Sequence, residues 1–166
     1  MEKEILSTER AMLEKDGFEG WITVEQLRES RKYVPTGKGV YMVLRTISDE
    51  MPEFLVKGSG GFHNGVDKNY PVYDLMSHWV GDTSIMYIGK TDDSLRKRIS
   101  AYIRHGQGKD ASHRGGRSIW QLPDAAELVF VWKVLPVTEN AEAYERRLIQ
   151  RFQEGHEGNM PFANRQ

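Results

Sequence analysis

An α+β fold is predicted by three features: short apolar runs of strand composition, two amphipathic stretches of helical length, and the order in which they follow one another. Val40 to Thr46, Ile85 to Gly89 and Glu127 to Leu135 are the strand candidates. Ser94 to His105 and about Glu139 to Glu154 are the two long helix candidates. The order strand, strand, helix, strand, helix around a small sheet is an α+β pattern.

Residues 2–15 read as a helix with sparse apolar points at Ile5, Met12 and Leu13, broken by Gly17 and Gly20. Thr23-Val24-Glu25-Gln26 is a capping box, which places a short helix from Val24 to about Ser30. Pro35 to Gly39 is a turn, and the strand after it is apolar almost throughout, as in a strand covered on both faces. Residues 47–83 carry loop signals at Gly58-Ser59-Gly60-Gly61 and Asn64-Gly65, with Phe54 to Val56 as a short strand and Tyr73 to Val80 as a short helix. The Ile85–Gly89 strand runs into Asp92, Asp93 and Ser94, which offer N-caps for a basic helix closed by Gly106. In the third strand Leu128, Phe130, Trp132 and Val134 alternate with Val129 and Val131, and Pro136 ends it. Thr138 is available to cap the last helix, which Gly155 and Gly158 stop.

The chain's 166 residues are the length of one domain, enough to bury about two-thirds of the unfolded surface. The absence of cysteine excludes disulfides, thiolate catalysis and Cys-based zinc sites. No apolar run is long enough to span a bilayer, and the polar start Met1-Glu2-Lys3-Glu4 is wrong for a secretory signal, so the expected compartment is the cytoplasm, away from any membrane. Net charge is −1, but residues 87–117 carry +5 and the remainder −6, a contrast that predicts a basic face on an acidic body.

Glu145 breaks the apolar stripe of Ala141, Tyr144, Leu148 and Phe152 on the last helix. A carboxylate placed there needs a cation, because burying its charge unpaired is costly. On the basic helix Leu95, Ile99 and Tyr102 form the inward stripe, and Arg98 sits on its flank one turn before Tyr102. A guanidinium fork binds phosphate oxygens, and a phenol can donate beside it. Tyr41 and Tyr87 are strand tyrosines, ordinarily half-buried packing, but each lies close to a glycine that permits close approach. Gly115-Gly116, between Arg114 and Arg117, offers backbone N–H groups to a phosphate or forms a plain turn. His105 and His113 are loop or helix-end histidines with the capacity to touch phosphate. Nucleotide-hydrolase loops, HExxH and nucleophile elbows are absent, and His63 and His78 are too isolated for zinc.

Taken in order, these pieces resemble the GIY-YIG nuclease family, in particular the catalytic domain of the excision-repair incision subunit and of homing and restriction endonucleases. Gly39-Val40-Tyr41 stands for the first tripeptide, and Tyr87-Ile88-Gly89 is the second unchanged. Lys90-Thr91 and Leu95 to Tyr102 look like the segment that follows, with the family's arginine falling on Arg98 and its Tyr or His on Tyr102. Glu145, followed by Leu148-Ile149, matches the metal-binding Glu, and Asn164, after Pro161, the closing Asn. The resemblance covers residues 37–166, with 1–36 as an N-terminal helical extension packed on the core and 47–83 as an insertion. The spacer between the tripeptides exceeds the family's usual hairpin. Tyr87 to Arg98 is one residue longer than in close relatives, which leaves Arg96 and Lys97 as alternatives.

The resemblance implies a small, mainly antiparallel three-stranded sheet flanked by helices. It implies phosphodiester hydrolysis with one Mg²⁺ (or Mn²⁺) on Glu145, Arg98 on the scissile phosphate, and one of Tyr41, Tyr87 and Tyr102 helping to activate water. Asn164 would support the site. Lys90, Arg104, His113, Arg114 and Arg117 would hold nucleic acid, DNA before RNA, with room for an unidentified protein partner that supplies targeting. The competing reading is an inactive nucleic-acid-binding or protein-interaction module on the same fold.

Overall fold

The computed structural model describes residues 2–63, 65–109 and 115–165. Its elements are α1 (Glu2–Lys15), β1 (Glu19–Thr23), α2 (Val24–Glu29), β2 (Gly39–Leu44), β3 (Phe62–His63), β4 (Val66–Asp67), α3 (Val72–His78), β5 (Ile85–Thr91), α4 (Leu95–Gly106), two 3₁₀ turns (Arg117–Gln121 and Ala125–Glu127), β6 (Val129–Val134) and α5 (Ala141–Gly155). The main sheet has the order β1-β6-β2-β5, antiparallel throughout, and β3–β4 is a separate two-stranded ribbon. Among the described residues no helix is long and apolar enough to cross a membrane.

The sheet has four strands rather than three. The fourth, β1, comes from the N-terminal extension, which therefore contributes to the sheet as well as packing helices on it. Gly20 (φ 113°) and Trp21 (φ 58°) are left-handed, and the pairing with β6 shifts register between Gly20 and Ile22. That irregularity erases the alternation by which a strand is recognised in sequence.

Every residue of β2 is buried, as its continuous apolar run predicts. Alternate residues feed two cores. Tyr41, Val43, Phe130 and Trp132 pack with α2, α4 and the 3₁₀ turns on one face. Val40, Met42, Leu44, Ile88 and Val131 pack with Leu13 of α1 and Ala141, Leu148 and Phe152 of α5 on the other. Helices α4 and α5 therefore cover opposite faces of the sheet.

The capping box on α2 is formed in both directions, Gln26 N–H to Thr23 Oγ1 at 3.2 Å and Thr23 N–H to Gln26 Oε1 at 2.9 Å. Ser94 caps α4. The cap of α5 is Asn140, whose Oδ1 accepts from Ala143 N–H at 2.8 Å, and not Thr138, because the helix starts two residues later than expected.

Within 47–83, Phe54 to Val56 is not a strand. Its backbone is held by a buried side chain, with Gln121 Nε2 donating to the Leu55 and Tyr70 carbonyls at 3.0 Å each and Oε1 accepting from Tyr70 N–H at 2.8 Å. Arg45 anchors the start of the same segment. It pairs with Asp124 at 2.8 Å, both side chains at or below 10 % exposure, and donates to the Ser48 and Glu50 carbonyls. Removing one partner of a buried pair strands the other charge, at a cost of about 3–5 kcal/mol. Asp124→Ala should lose about that much, read as a lower urea midpoint at unchanged slope.

Candidate functional site

Three tyrosines meet on the α4 face of the sheet. Tyr41 lies across from Gly89 in the β2–β5 ladder, and a Cβ on Gly89 would stand 2.6 Å from Tyr41 Cζ. That glycine is therefore the floor on which the Tyr41 ring rests. Gly39 serves the neighbouring strand instead, since a Cβ there would meet the Lys133 carbonyl of β6 at 2.1 Å. Tyr87 reaches this face through a bulge: Val43 faces Tyr87 while Leu44 faces Ile85, leaving Met86 unpaired. The extra residue keeps Ile85 in the α5-side core and Tyr87 beside Tyr41. Ring centroids are 6.1 Å apart for Tyr41–Tyr87, 5.7 Å for Tyr87–Tyr102 and 6.4 Å for Tyr41–Tyr102.

Burial pushes all three phenols above the usual tyrosine range, Tyr41 and Tyr102 well above it. Tyr41 and Tyr102 are fully buried, while Tyr87 is 8 % exposed. The Tyr102 hydroxyl donates to the Gly116 carbonyl at 2.5 Å. The Arg98 guanidinium opposes the shift at each phenol, and at Tyr41 both its charge and its donor capacity favour the ionised form.

Arg98 owes its position to the phase of α4, whose Leu95, Ile99 and Tyr102 are buried. It is half-buried, and its Nε has no hydrogen-bond partner among the described residues. Arg96 points elsewhere, donating to the Val34 and Lys32 carbonyls at 2.8 and 2.9 Å. Lys97 is 79 % exposed and lies 3.8 Å from Asp93.

Glu145 approaches from the opposite face, on α5. It is half-buried in an open concavity of about 440 Å³ shared with Glu142, Arg146, Ile149 and Met160. Its pKa is raised by desolvation and by Glu142, against the opposing pull of Lys90, Arg98 and Arg146. No cation lies within 4 Å of it among the described residues, so the partner its sequence position calls for is not a tight ion pair. Glu142 is an exposed residue, 3.4 Å from Arg146. Both Arg98 and Glu145 act electrostatically on the Tyr87 hydroxyl, from the two sides of edge strand β5.

The outer edge of β5 is held by the C-terminal segment. The Asn164 amide accepts from Ile88 N–H and donates to the Ile88 carbonyl, both at 2.9 Å, while Ala163 N–H donates to the Met86 carbonyl at 2.8 Å. Lys90 pairs with Asp92 at 2.7 Å. Arg104 is exposed in the last turn of α4. Arg117 is half-buried at the start of a 3₁₀ turn, its Nε without a partner among the described residues. His113 and Arg114 lie outside the described residues. The sequence reading missed the seating of Gly115-Gly116 against the tyrosine hydroxyls. Its only trace in the sequence is the glycine pair, which reads there as a phosphate cradle or a plain turn.

Among the described residues no group of three or more His, Cys, Asp or Glu can hold a metal. One half-buried carboxylate suits Mg²⁺, which keeps most of its waters and takes one or two carboxylates plus substrate phosphate, and does not suit a protein-only zinc or calcium cage.

A family model described as the GIY-YIG catalytic domain matches residues 69–158. The match takes in Tyr87, Lys90, Arg98, Tyr102 and Glu145, and leaves Gly39-Val40-Tyr41 and Asn164 outside it. No curated protein and no solved structure gave a significant match.

Proposed function

The chain belongs to the GIY-YIG nuclease family, and from that premise we propose that it is a divalent-metal-dependent endonuclease that hydrolyses phosphodiester bonds, in DNA before RNA. The observation that supports this reading most is the convergence of a half-buried arginine and a half-buried glutamate on one phenol at a sheet edge. Glu145 would hold Mg²⁺ or Mn²⁺, which supplies Lewis-acid stabilisation of the departing oxygen. Arg98 presents a preorganised fork to the scissile phosphate and offsets its developing charge. Tyr87, the least buried of the three clustered phenols, orients the attacking water by hydrogen bonding. A phenol is protonated at neutral pH, and burial raises Tyr87 further against the pull of Arg98, so it is a poor base unless a metal ion adds to that pull. Tyr102 positions the others, its own hydroxyl being engaged by Gly116. Asn164 fixes β5 by completing its free edge. Lys90, Arg104, His113, Arg114 and Arg117 contact backbone phosphates, which positions nucleic acid without reading sequence. A panel of duplex DNA, single-stranded DNA and RNA, each with Mg²⁺, tests the substrate class. Equal cleavage of RNA would overturn the preference for DNA.

The Glu145 carboxyl sets the acid limb of this activity. Its folded pKa lies above its unfolded value, so the folded state binds more protons and this group's contribution to stability falls as pH rises between the two. A cation must displace that proton. The half-saturating Mg²⁺ concentration should therefore rise about tenfold per pH unit below the raised pKa, a change that a Mg²⁺ titration of cleavage rate at several pH values measures.

A further inference from the structure

We infer that Gly115 is a positioning residue, the stop against which the Tyr87 hydroxyl is set; this rests on the nuclease reading for its catalytic consequence but not for its geometry. A Cβ built on Gly115 would lie 2.3 Å from Tyr87 Oη, 3.2 Å from Cζ and 3.6 Å from Cε1. Only the hydroxyl is overlapped; the ring carbons are in tight or ordinary contact. Gly115 is not among the positive-φ residues, so alanine there avoids the left-handed strain, and among the described residues the Tyr87 phenol is what opposes it.

Gly116 does a different job. It is left-handed (φ 69°), and its carbonyl takes the Tyr102 hydroxyl at 2.5 Å. A Cβ on it would meet Tyr102 Oη at 2.1 Å and Cζ at 2.8 Å. Gly116 thus ties the loop to a fully buried ring, which fixes where Gly115 stands. From the other side Tyr87 cannot retreat. Its flanking residues, Met86 and Ile88, are bonded to Ala163 and Asn164, and its ring packs against Tyr41 and Tyr102. The Tyr87 side chain is therefore confined between the bare backbone of Gly115 and the rings of Tyr41 and Tyr102.

The test is a double-mutant cycle of Gly115→Ala with Tyr87→Phe, read in kcat and KM for duplex DNA with Mg²⁺ and in urea unfolding. Displacing a catalytic group by about 1 Å costs on the order of 10²-fold. Gly115→Ala should lower kcat by up to that factor with KM little changed. In the Tyr87→Phe background it should lower kcat no further, because the overlapped atom is gone. The unfolding midpoint should fall for Gly115→Ala alone and recover in the double variant. Gly116→Ala should stay destabilised when combined with Tyr102→Phe, since its φ is still wrong. If Gly115→Ala fails to fold, the double variant should fold. If wild type cuts nothing, the nuclease reading fails and the unfolding cycle alone decides on the contact. Full activity and stability of Gly115→Ala, or equal losses in both backgrounds, would overturn the inference.

Discussion

Glu145→Ala should lower the Mg²⁺-dependent cleavage rate by at least about 10³-fold while leaving the protein folded. Lewis-acid stabilisation is worth several kcal/mol of transition-state energy, and each 1.36 kcal/mol is about tenfold in rate. Glu145 is the carboxylate that acts on the Tyr87 phenol, and Lys90 and Arg98 act on it in turn. Folding should be unharmed, because burial disfavours the ionised carboxyl and no tight ion pair is lost with it. Single-turnover rates and a urea curve on the same preparation check both halves. A variant that lost activity by unfolding would show a shifted midpoint.

Arg98→Ala should cost about 10²–10³-fold in rate, the loss typical of one preorganised contact to developing charge. Arg96→Ala and Lys97→Ala should not match it. Arg96 spends its donors on the carbonyls of Lys32 and Val34, so its removal should lower stability by loosening the loop before β2, with a smaller effect on kcat. Lys97 is exposed and only loosely paired, so its loss should lie within about 0.5 kcal/mol of wild type in stability. A larger rate loss at Arg96 or Lys97 than at Arg98 would place the phosphate on the other flank of α4.

The parts of this molecule that repeat with a period were legible in the sequence. The stripe Leu95, Ile99, Tyr102 fixes the phase of α4, and with it Arg98 toward the tyrosines and Arg96 away from them. The alternation in Val129–Val134 separates the two cores. What periodicity does not encode was missed. Strand β1 is hidden by the left-handed Gly20 and Trp21. The Phe54–Val56 segment has strand composition but is held by one buried glutamine rather than by a ladder. The α5 cap moved from Thr138 to Asn140 because both are good caps and only tertiary packing decides where the first turn begins. The glycine pair at 115 and 116 is the plainest case. In sequence it reads as a turn or a phosphate cradle, and only the folded chain shows that two phenol hydroxyls occupy the space where side chains would be.

The most direct test is incubation of supercoiled plasmid with the purified protein in Mg²⁺, with a matched EDTA arm. Nicked or linear product in Mg²⁺ and intact plasmid in EDTA is the predicted result. Plasmid that stays supercoiled in both arms while the protein still retards it on a gel would contradict the nuclease reading and leave a binding module on the same fold.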